Sequence, residues 1–228
     1  MPARHPKQTQ QAKKAIFLVD DHPMLRRGLT ALIESEPDLK VCGQASTAQE
    51  ALRAMAQAAP DLAIVDLGLK GPDGLHLIRA MKESNPKIPA LVLSMFDESE
   101  HAERAFRAGA RGYVSKTQME GAVLTAIRRV LDGELYMSAA LGTHFAEKFL
   151  SGQAPSIDSP LAVLSDRELE VLRLIGVGQT TRQIAQYLHL SVKTIESHRE
   201  HLKHKLTLES GAALLRYATR YVETGQTG

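Results

Sequence analysis

Asp61-Leu62-Ala63-Ile64-Val65-Asp66-Leu67-Gly68-Leu69-Lys70-Gly71-Pro72-Asp73-Gly74 is an apolar run that ends in a single carboxylate, Asp66, and then breaks into glycine and proline. Leu62 to Val65 show no polar alternation, the pattern of a strand covered on both faces, and Gly71, Pro72 and Gly74 supply the turn that follows. Asp66 is thereby placed at the C-terminal end of a buried strand. In open parallel α/β sheets ligands bind at that edge, so the question becomes what other strand ends bring there.

They bring a complementary set. Ala15 to Val19 is a second apolar run and ends in Asp20-Asp21; Ile88 to Leu93 ends in Ser94; Gly112 to Ser115 ends in Lys116. Crowded carboxylates repel unless a hard divalent cation neutralises them, and Mg²⁺ prefers one or two carboxylates with water and phosphate oxygens completing its shell. The expected site holds Mg²⁺ and a phosphoryl group. Asp66 is the expected nucleophile, with Mg²⁺, Lys116 and the Ser94 hydroxyl spreading the charge of the transferred group.

Helical patterns alternate with these runs. Pro23 to Glu34 carries Leu25, Leu29, Leu32 and Ile33 at helical spacing, and Thr47 N-caps a helix to Ala58 after a strand at Val41 to Ala45. Asp73 to Ser84 is ended by Asn85-Pro86; Glu98 to Ala108 and Gln118 to Leu131 follow. Alternation of this kind predicts right-handed crossovers and a doubly wound parallel sheet, that is, a flavodoxin-like α/β fold. Glu98 to Ala108 has Phe106 as its one large apolar residue. It is expected to pack more loosely than Gln118 to Leu131, which suits an element that a switch displaces.

The set Asp20-Asp21, Asp66, Ser94, Lys116 resembles the receiver domain of two-component response regulators over roughly the first 130 residues. The resemblance implies that Asp66 is the phosphoacceptor, that Asp20 and Asp21 form the acidic metal pocket with Asp66, and that the main-chain carbonyl of Gly68 completes the Mg²⁺ shell. It also implies Ser94 as the switch hydroxyl, Tyr113 as the switch aromatic and Lys116 as the lysine that contacts phosphate.

Composition bounds the rest. A chain of 228 residues with 43% hydrophobic content suggests two ordinary domains. The single cysteine, Cys42, excludes a disulfide framework within the chain, and its setting in Lys40-Val41-Cys42-Gly43 points to core packing. No apolar stretch reaches about 18 residues and Met1 to Lys14 lacks an apolar core, so the expectation is a soluble cytoplasmic protein with no membrane partner. The expected divisions are a disordered basic tail at 1–14, a receiver at 15–132, a linker with one helix at 133–160, and an all-α domain at 161–228. In the linker, Ser138 is a candidate cap for a helix through Ala139, Leu141, Phe145, Phe149 and Leu150. That helix either pads the join or docks the output domain against the receiver.

From Ser165 the pattern becomes helices with short turns. Ser165-Asp166-Arg167-Glu168 is a capping box, Thr180 or Thr181 restarts the chain as helix, and Ser191 caps the next one after a turn at His189-Leu190-Ser191. Two short helices joined by such a turn form a helix-turn-helix, whose second helix can enter a major groove. The charge is a poor footprint for nucleic acid, with nine Lys and Arg against eight Asp and Glu over Pro155 to Gly228. The motif Leu164-Ser165-Asp166-Arg167-Glu168-Leu169-Glu170-Val171-Leu172, with Gly178, Ile184-Ala185, Leu188, Ser191-Val192-Lys193-Thr194-Ile195, His198 and Lys205-Leu206, resembles the four-helix output domain of LuxR and NarL-type regulators. That resemblance implies DNA contacts from Thr181, Lys193, Thr194, Glu196, Ser197, Arg199, Glu200 and Lys203. The chain departs from the family where Ser-Asn-Lys-Glu is common and Thr180-Thr181-Arg182-Gln183 stands here, which puts phosphate contacts from those side chains in question.

Two other function classes compete. Haloacid-dehalogenase-like phosphatases also use a strand-end Asp nucleophile with Mg²⁺, but they place a second Asp two residues on to protonate the leaving group, and Gly68 stands there. An adaptor that signals through protein contacts alone is supported only by the weak positive charge. The expected function is therefore a transcriptional regulator of the NarL and FixJ type. Its implied partners are a cognate histidine kinase, promoter half-sites in DNA, a second copy of the chain when phosphorylated, and RNA polymerase.

Overall fold

The computed structural model describes residues 12–69, 73–95, 98–150, 160–188 and 190–223. The expected tail through residue 11, the turn at Gly71 and Pro72, the loop at 151–159 and His189 lie outside them. The chain divides into two compact units, the first ending at Ser138 and the second beginning at Ala139.

The first unit is a five-stranded parallel sheet with helices on both faces. In chain order it comprises β1 (Lys14–Val19), α1 (Pro23–Glu34), β2 (Leu39–Ala45), α2 (Ala48–Ala58), β3 (Leu62–Val65), α3 (Gly74–Ser84), β4 (Ala90–Ser94), α4 (Glu98–Ala108), β5 (Gly112–Ser115) and α5 (Met119–Leu131). The strand order is β2-β1-β3-β4-β5, every pairing parallel. The order reverses between β1 and β3, which opens a crevice at the C-terminal ends of those two strands.

Side-chain alternation along the strands builds the two cores. Ile16, Leu18, Leu62, Ile64, Leu91, Leu93 and Val114 pack with Leu29 and Ile33 of α1 and with Val123, Ile127 and Val130 of α5. The intervening residues Phe17, Val19, Ala63, Val65 and Val92 are as deeply buried, so they must face the other layer, which holds α2, α3 and α4. Burying each of these side chains larger than alanine is worth about 1.5–3 kcal/mol. Within that layer α3 buries Leu75, Leu77, Ile78 and Met81, whereas α4 buries Ala102, Ala105, Ala108 and His101, with Phe106 half-buried. The α4 footprint is thus mostly methyl groups and carries the smaller apolar area.

Several boundaries differ from the sequence reading. β1 begins at Lys14 and β2 at Leu39; β4 begins at Ala90, because the Ile88 amide turns back to the Asn85 carbonyl. Asp73 caps α3 rather than joining it, its carboxylate accepting from the His76 amide at 2.9 Å. Lys116–Gln118 forms a 3-10 turn ahead of α5. Cys42 is half-buried in β2, where its Sγ lies 3.4 Å from the Ile16 carbonyl oxygen.

The largest difference follows α5. Residues 133–138, read from sequence as the start of the linker, belong to the first unit. Gly133 turns the chain with φ +86°, and the Arg111 guanidinium donates to its carbonyl at 2.7 Å. The chain then runs along the outer edge of β5: the Tyr113 amide donates to the Tyr136 carbonyl at 2.9 Å and the Tyr136 amide to the Arg111 carbonyl at 3.0 Å. The Ser138 amide donates to Glu98 Oε1 at 3.0 Å. An edge strand whose backbone groups would otherwise be open is covered.

The second unit contains α6 (Ala139–Leu150), a 3-10 turn (Pro160–Val163), α7 (Asp166–Gly176), α8 (Thr181–Tyr187), α9 (Val192–Lys205) and α10 (Gly211–Glu223). Val171, Leu172, Ile175, Ile184, Ile195, Leu202, Leu214 and Ala218 are core residues of this unit. Gly176 lets α7 and α10 touch: a Cβ there would lie 2.3 Å from the Ala218 carbonyl oxygen. Among the described residues no helix is long and apolar enough to cross a membrane.

Candidate functional site

Asp66 follows directly on β3, its amide held by the Val19 carbonyl at 2.8 Å, and is only 3% exposed. Gly74 makes that position possible. A Cβ on residue 74 would lie 2.2 Å from the Asp66 carbonyl oxygen, so the N-terminus of α3 can close over the loop only if the residue is glycine. The Gly68 amide donates to Asp66 Oδ1 at 3.2 Å and orients the carboxylate.

Lys116 spans the crevice. Its Nζ lies 2.9 Å from Asp66 Oδ2 and 2.7 Å from Asp20 Oδ2, with all three side chains almost fully buried. Burial pushes the Asp66 carboxyl above its ordinary range; the Lys116 ammonium opposes that shift and the Asp20 charge adds to it. The pocket therefore has more negative charge than one ammonium satisfies, the condition in which a bound cation is stabilising. Carboxylate oxygens of Asp20, Asp21 and Asp66 and a nitrogen of His22 all lie within 4.8 Å of one another. Three oxygens of that hardness fit Mg²⁺.

Ser94 ends β4 and is fully buried. Val65 pairs with Val92, so Ser94 stands one residue beyond the level of Asp66 on the neighbouring strand. Tyr113 pairs with Val92 on β5 and is buried in the core, its amide tied to Tyr136.

Two residues near the acids were missed from sequence. His22 Nδ1 sits 2.9 Å from both Asp20 Oδ1 and Asp21 Oδ1. Arg26, one turn into α1, donates from its guanidinium to the Asp20 carbonyl. The available signal was adjacency: a strand ending in Asp20-Asp21 and a helix starting at Pro23 leave one residue to turn the corner, and that residue is His22.

The second unit presents a separate surface. Ser191 caps α9, accepting from the Thr194 amide at 3.0 Å, and Thr180 caps α8 in a full capping box with Gln183. The departure at Thr180-Thr181-Arg182-Gln183 thus keeps the cap chemistry, a hydroxyl at the first position and an amide oxygen three residues on. Lys193, Glu196, Ser197 and Glu200 are exposed along one face of α9. Thr181, Thr194, Arg199 and Lys203 are half-buried, and the Thr194 hydroxyl is engaged with Ser191 at 2.7 Å. Glu200 pairs with Lys203 at 2.8 Å, while Glu196 has no ion-pair partner among the described residues. Val192, exposed at the start of α9, was not singled out from sequence.

Comparison with known proteins gives two family matches: a response regulator receiver domain over residues 16–128, and bacterial regulatory proteins of the luxR family over residues 162–218. The oxygen regulatory protein NreC of Staphylococcus carnosus is 35% identical over 209 residues, covering 90% of this chain and 96% of that protein. A two-component response regulator of the LuxR family from an Aurantimonas species is 35% identical with a TM-score of 0.57, covering 61% of this chain and 99% of that one. RcsB from Salmonella enterica serovar Typhimurium, solved bound to a promoter with the phosphomimetic BeF3⁻, is 25% identical with a TM-score of 0.55, covering 90% of this chain and 97% of that one.

Proposed function

Because the chain belongs to the two-component response regulators with a LuxR-type DNA-binding domain, and so regulates transcription in response to phosphorylation, we propose that Asp66 is its phosphoacceptor and that α9 reads its operator. The observation that carries the first part is the Lys116 ammonium shared between Asp66 and Asp20 across the crevice.

An Asp66 oxygen attacks the phosphorus of a phosphohistidine in a cognate kinase, the P–N bond breaks, and the imidazole departs. Lys116, already 2.9 Å from Asp66 Oδ2, pairs with an oxygen of the new acyl phosphate. The Ser94 hydroxyl, at the adjoining strand end, donates to another. Asp20, Asp21, Asp66 and the Gly68 carbonyl would hold Mg²⁺, which supplies neutralisation of the charge on the transferred group. Gly68 provides no acid two residues after Asp66, so the phosphoryl group is held long enough to signal. Ser94 and Tyr113 then carry the change to the α4 and β5 side of the sheet.

Phosphorylation raises the population of homodimer, and two copies on paired half-sites gain affinity through effective concentration. RcsB solved bound to a promoter in the presence of a phosphomimetic supports DNA binding by the phosphorylated form. The bound regulator then acts on RNA polymerase. The decisive experiment is acid-labile labelling by a small phosphodonor: Asp66→Asn should lose it while keeping the wild-type circular dichroism spectrum. Equal labelling of the variant places the nucleophile elsewhere.

A further inference from the structure

The acidic crevice contains one imidazole donor, His22 Nδ1, held at hydrogen-bond distance from Asp20. His22 Nδ1 lies 2.9 Å from Asp20 Oδ1, 2.9 Å from Asp21 Oδ1 and 3.9 Å from Asp66 Oδ2. An octahedral ion with bonds of about 2.1 Å sets adjacent donors roughly 3.0 Å apart and opposite donors roughly 4.2 Å apart. At separations of 2.9 to 3.9 Å, within that span, the imidazole nitrogen would be able to share one cation with the three carboxylates. Its placement is built by the backbone. The His22 amide donates to Asp20 Oδ1 at 2.7 Å, and Pro23 starts α1 immediately after, so the corner has little freedom. The His22 side chain is 60% exposed, which leaves its other nitrogen open to water.

We propose that His22 donates Nδ1 to the cation bound by Asp20, Asp21 and Asp66, and that this mixed nitrogen and oxygen set holds Mn²⁺, and a borderline ion such as Co²⁺ still more, tighter than Mg²⁺. An imidazole adds little to the binding of Mg²⁺, which is hard and stays hydrated, and more along the series toward copper. The inference rests on the reading of those three carboxylates as a cation site.

The test uses the full-length chain and Mn²⁺ alone. Pulsed electron paramagnetic resonance should show coupling to a directly bound ¹⁴N, and His22→Ala should abolish it. Groups that only hydrogen-bond to a metal's ligands change its affinity by about 10–100-fold, so loss of a direct donor should weaken Mn²⁺ by at least roughly tenfold while Mg²⁺ changes by less than about twofold. Absence of ¹⁴N coupling in the wild type, or its persistence in His22→Ala, overturns the assignment. Asp21→Asn separates the two readings. If it leaves Mn²⁺ affinity unchanged, the cation site itself is misplaced; if it weakens Mn²⁺ and His22→Ala does not, only the role of His22 is lost.

Discussion

The Lys205 ammonium at the end of α9 lies 2.6 Å from Glu168 Oε2 at the start of α7. The same carboxylate accepts from the Ser165 amide at 2.8 Å and the Ser165 hydroxyl at 2.9 Å. One nearly buried side chain thus closes the first helix of the output domain and ties it to the far end of the helix proposed to read DNA. Glu168→Ala should cost about 2–4 kcal/mol, a cap plus a charge-assisted bond. Glu168→Gln keeps an oxygen for the cap and loses only the ion pair, so thermal denaturation should place it between the wild type and the alanine variant.

The pH dependence of that unit follows. Burial alone would raise the Glu168 carboxyl, but Lys205 and the Ser165 donors outweigh it and hold the group below its ordinary value of 4.5. A depressed acid contributes stability that is present above 4.5 and is lost as the pH falls through its folded value. Melting of wild type between pH 6 and pH 3 should show a loss that Glu168→Gln lacks.

Asp66 behaves in the opposite sense. Burial pushes its pKa above the ordinary 3.8, so its contribution is fully present below 3.8 and disappears as the pH rises through the folded value. At neutral pH without metal the receiver carries this cost. In EDTA, Asp66→Asn should melt above the wild type, and added divalent cation should narrow the gap. A lower melting temperature for the variant in EDTA would show that the Lys116 pairing dominates.

Gly74→Ala should shift the Asp66 loop, since the new methyl would meet the Asp66 carbonyl oxygen and the Leu67 Cα. Overpacking of this kind costs about 1–3 kcal/mol. The readouts are a lowered denaturation midpoint and slower phosphodonor labelling. Normal labelling with normal stability would mean the loop can yield without disturbing the carboxylate.

Tyr136→Pro removes the amide that bonds to the Arg111 carbonyl and should open the outer edge of β5. Hydrogen exchange at the Tyr113 amide should accelerate, because its acceptor is the Tyr136 carbonyl. Unchanged protection there would show that the segment after α5 holds its place without that bond.

The acids on α9 divide. Glu200 already pairs with Lys203, whereas Glu196 is exposed without an ion-pair partner among the described residues. A carboxylate in the major groove can accept from cytosine N4, worth roughly 1–3 kcal/mol of discrimination. Glu196→Ala should relax base preference at one position per half-site, and Glu200→Ala should do so less. If both tighten binding to every sequence alike, the acids are repulsive and Lys193, Ser197 and DNA shape carry specificity.

The alternation of apolar runs with helical periods, the carboxylates, hydroxyl and ammonium at four strand ends, and the caps at Thr47, Ser165 and Ser191 were readable from the chain because each is a local property. Period, turn residues and cap chemistry act within a few residues, and parallel pairing then carries the strand ends to one edge. Tertiary structure decided what depends on register and on where a side chain comes to rest. His22 falls against Asp20 and Asp21 only because β1 ends and α1 begins at that corner. Residues 133–138 join the first unit only because the free edge of β5 lies beside the turn at Gly133. Residue 74 must be glycine because a carbonyl eight residues earlier returns to within van der Waals reach of it. Each of these is a distance between groups that no periodicity encodes.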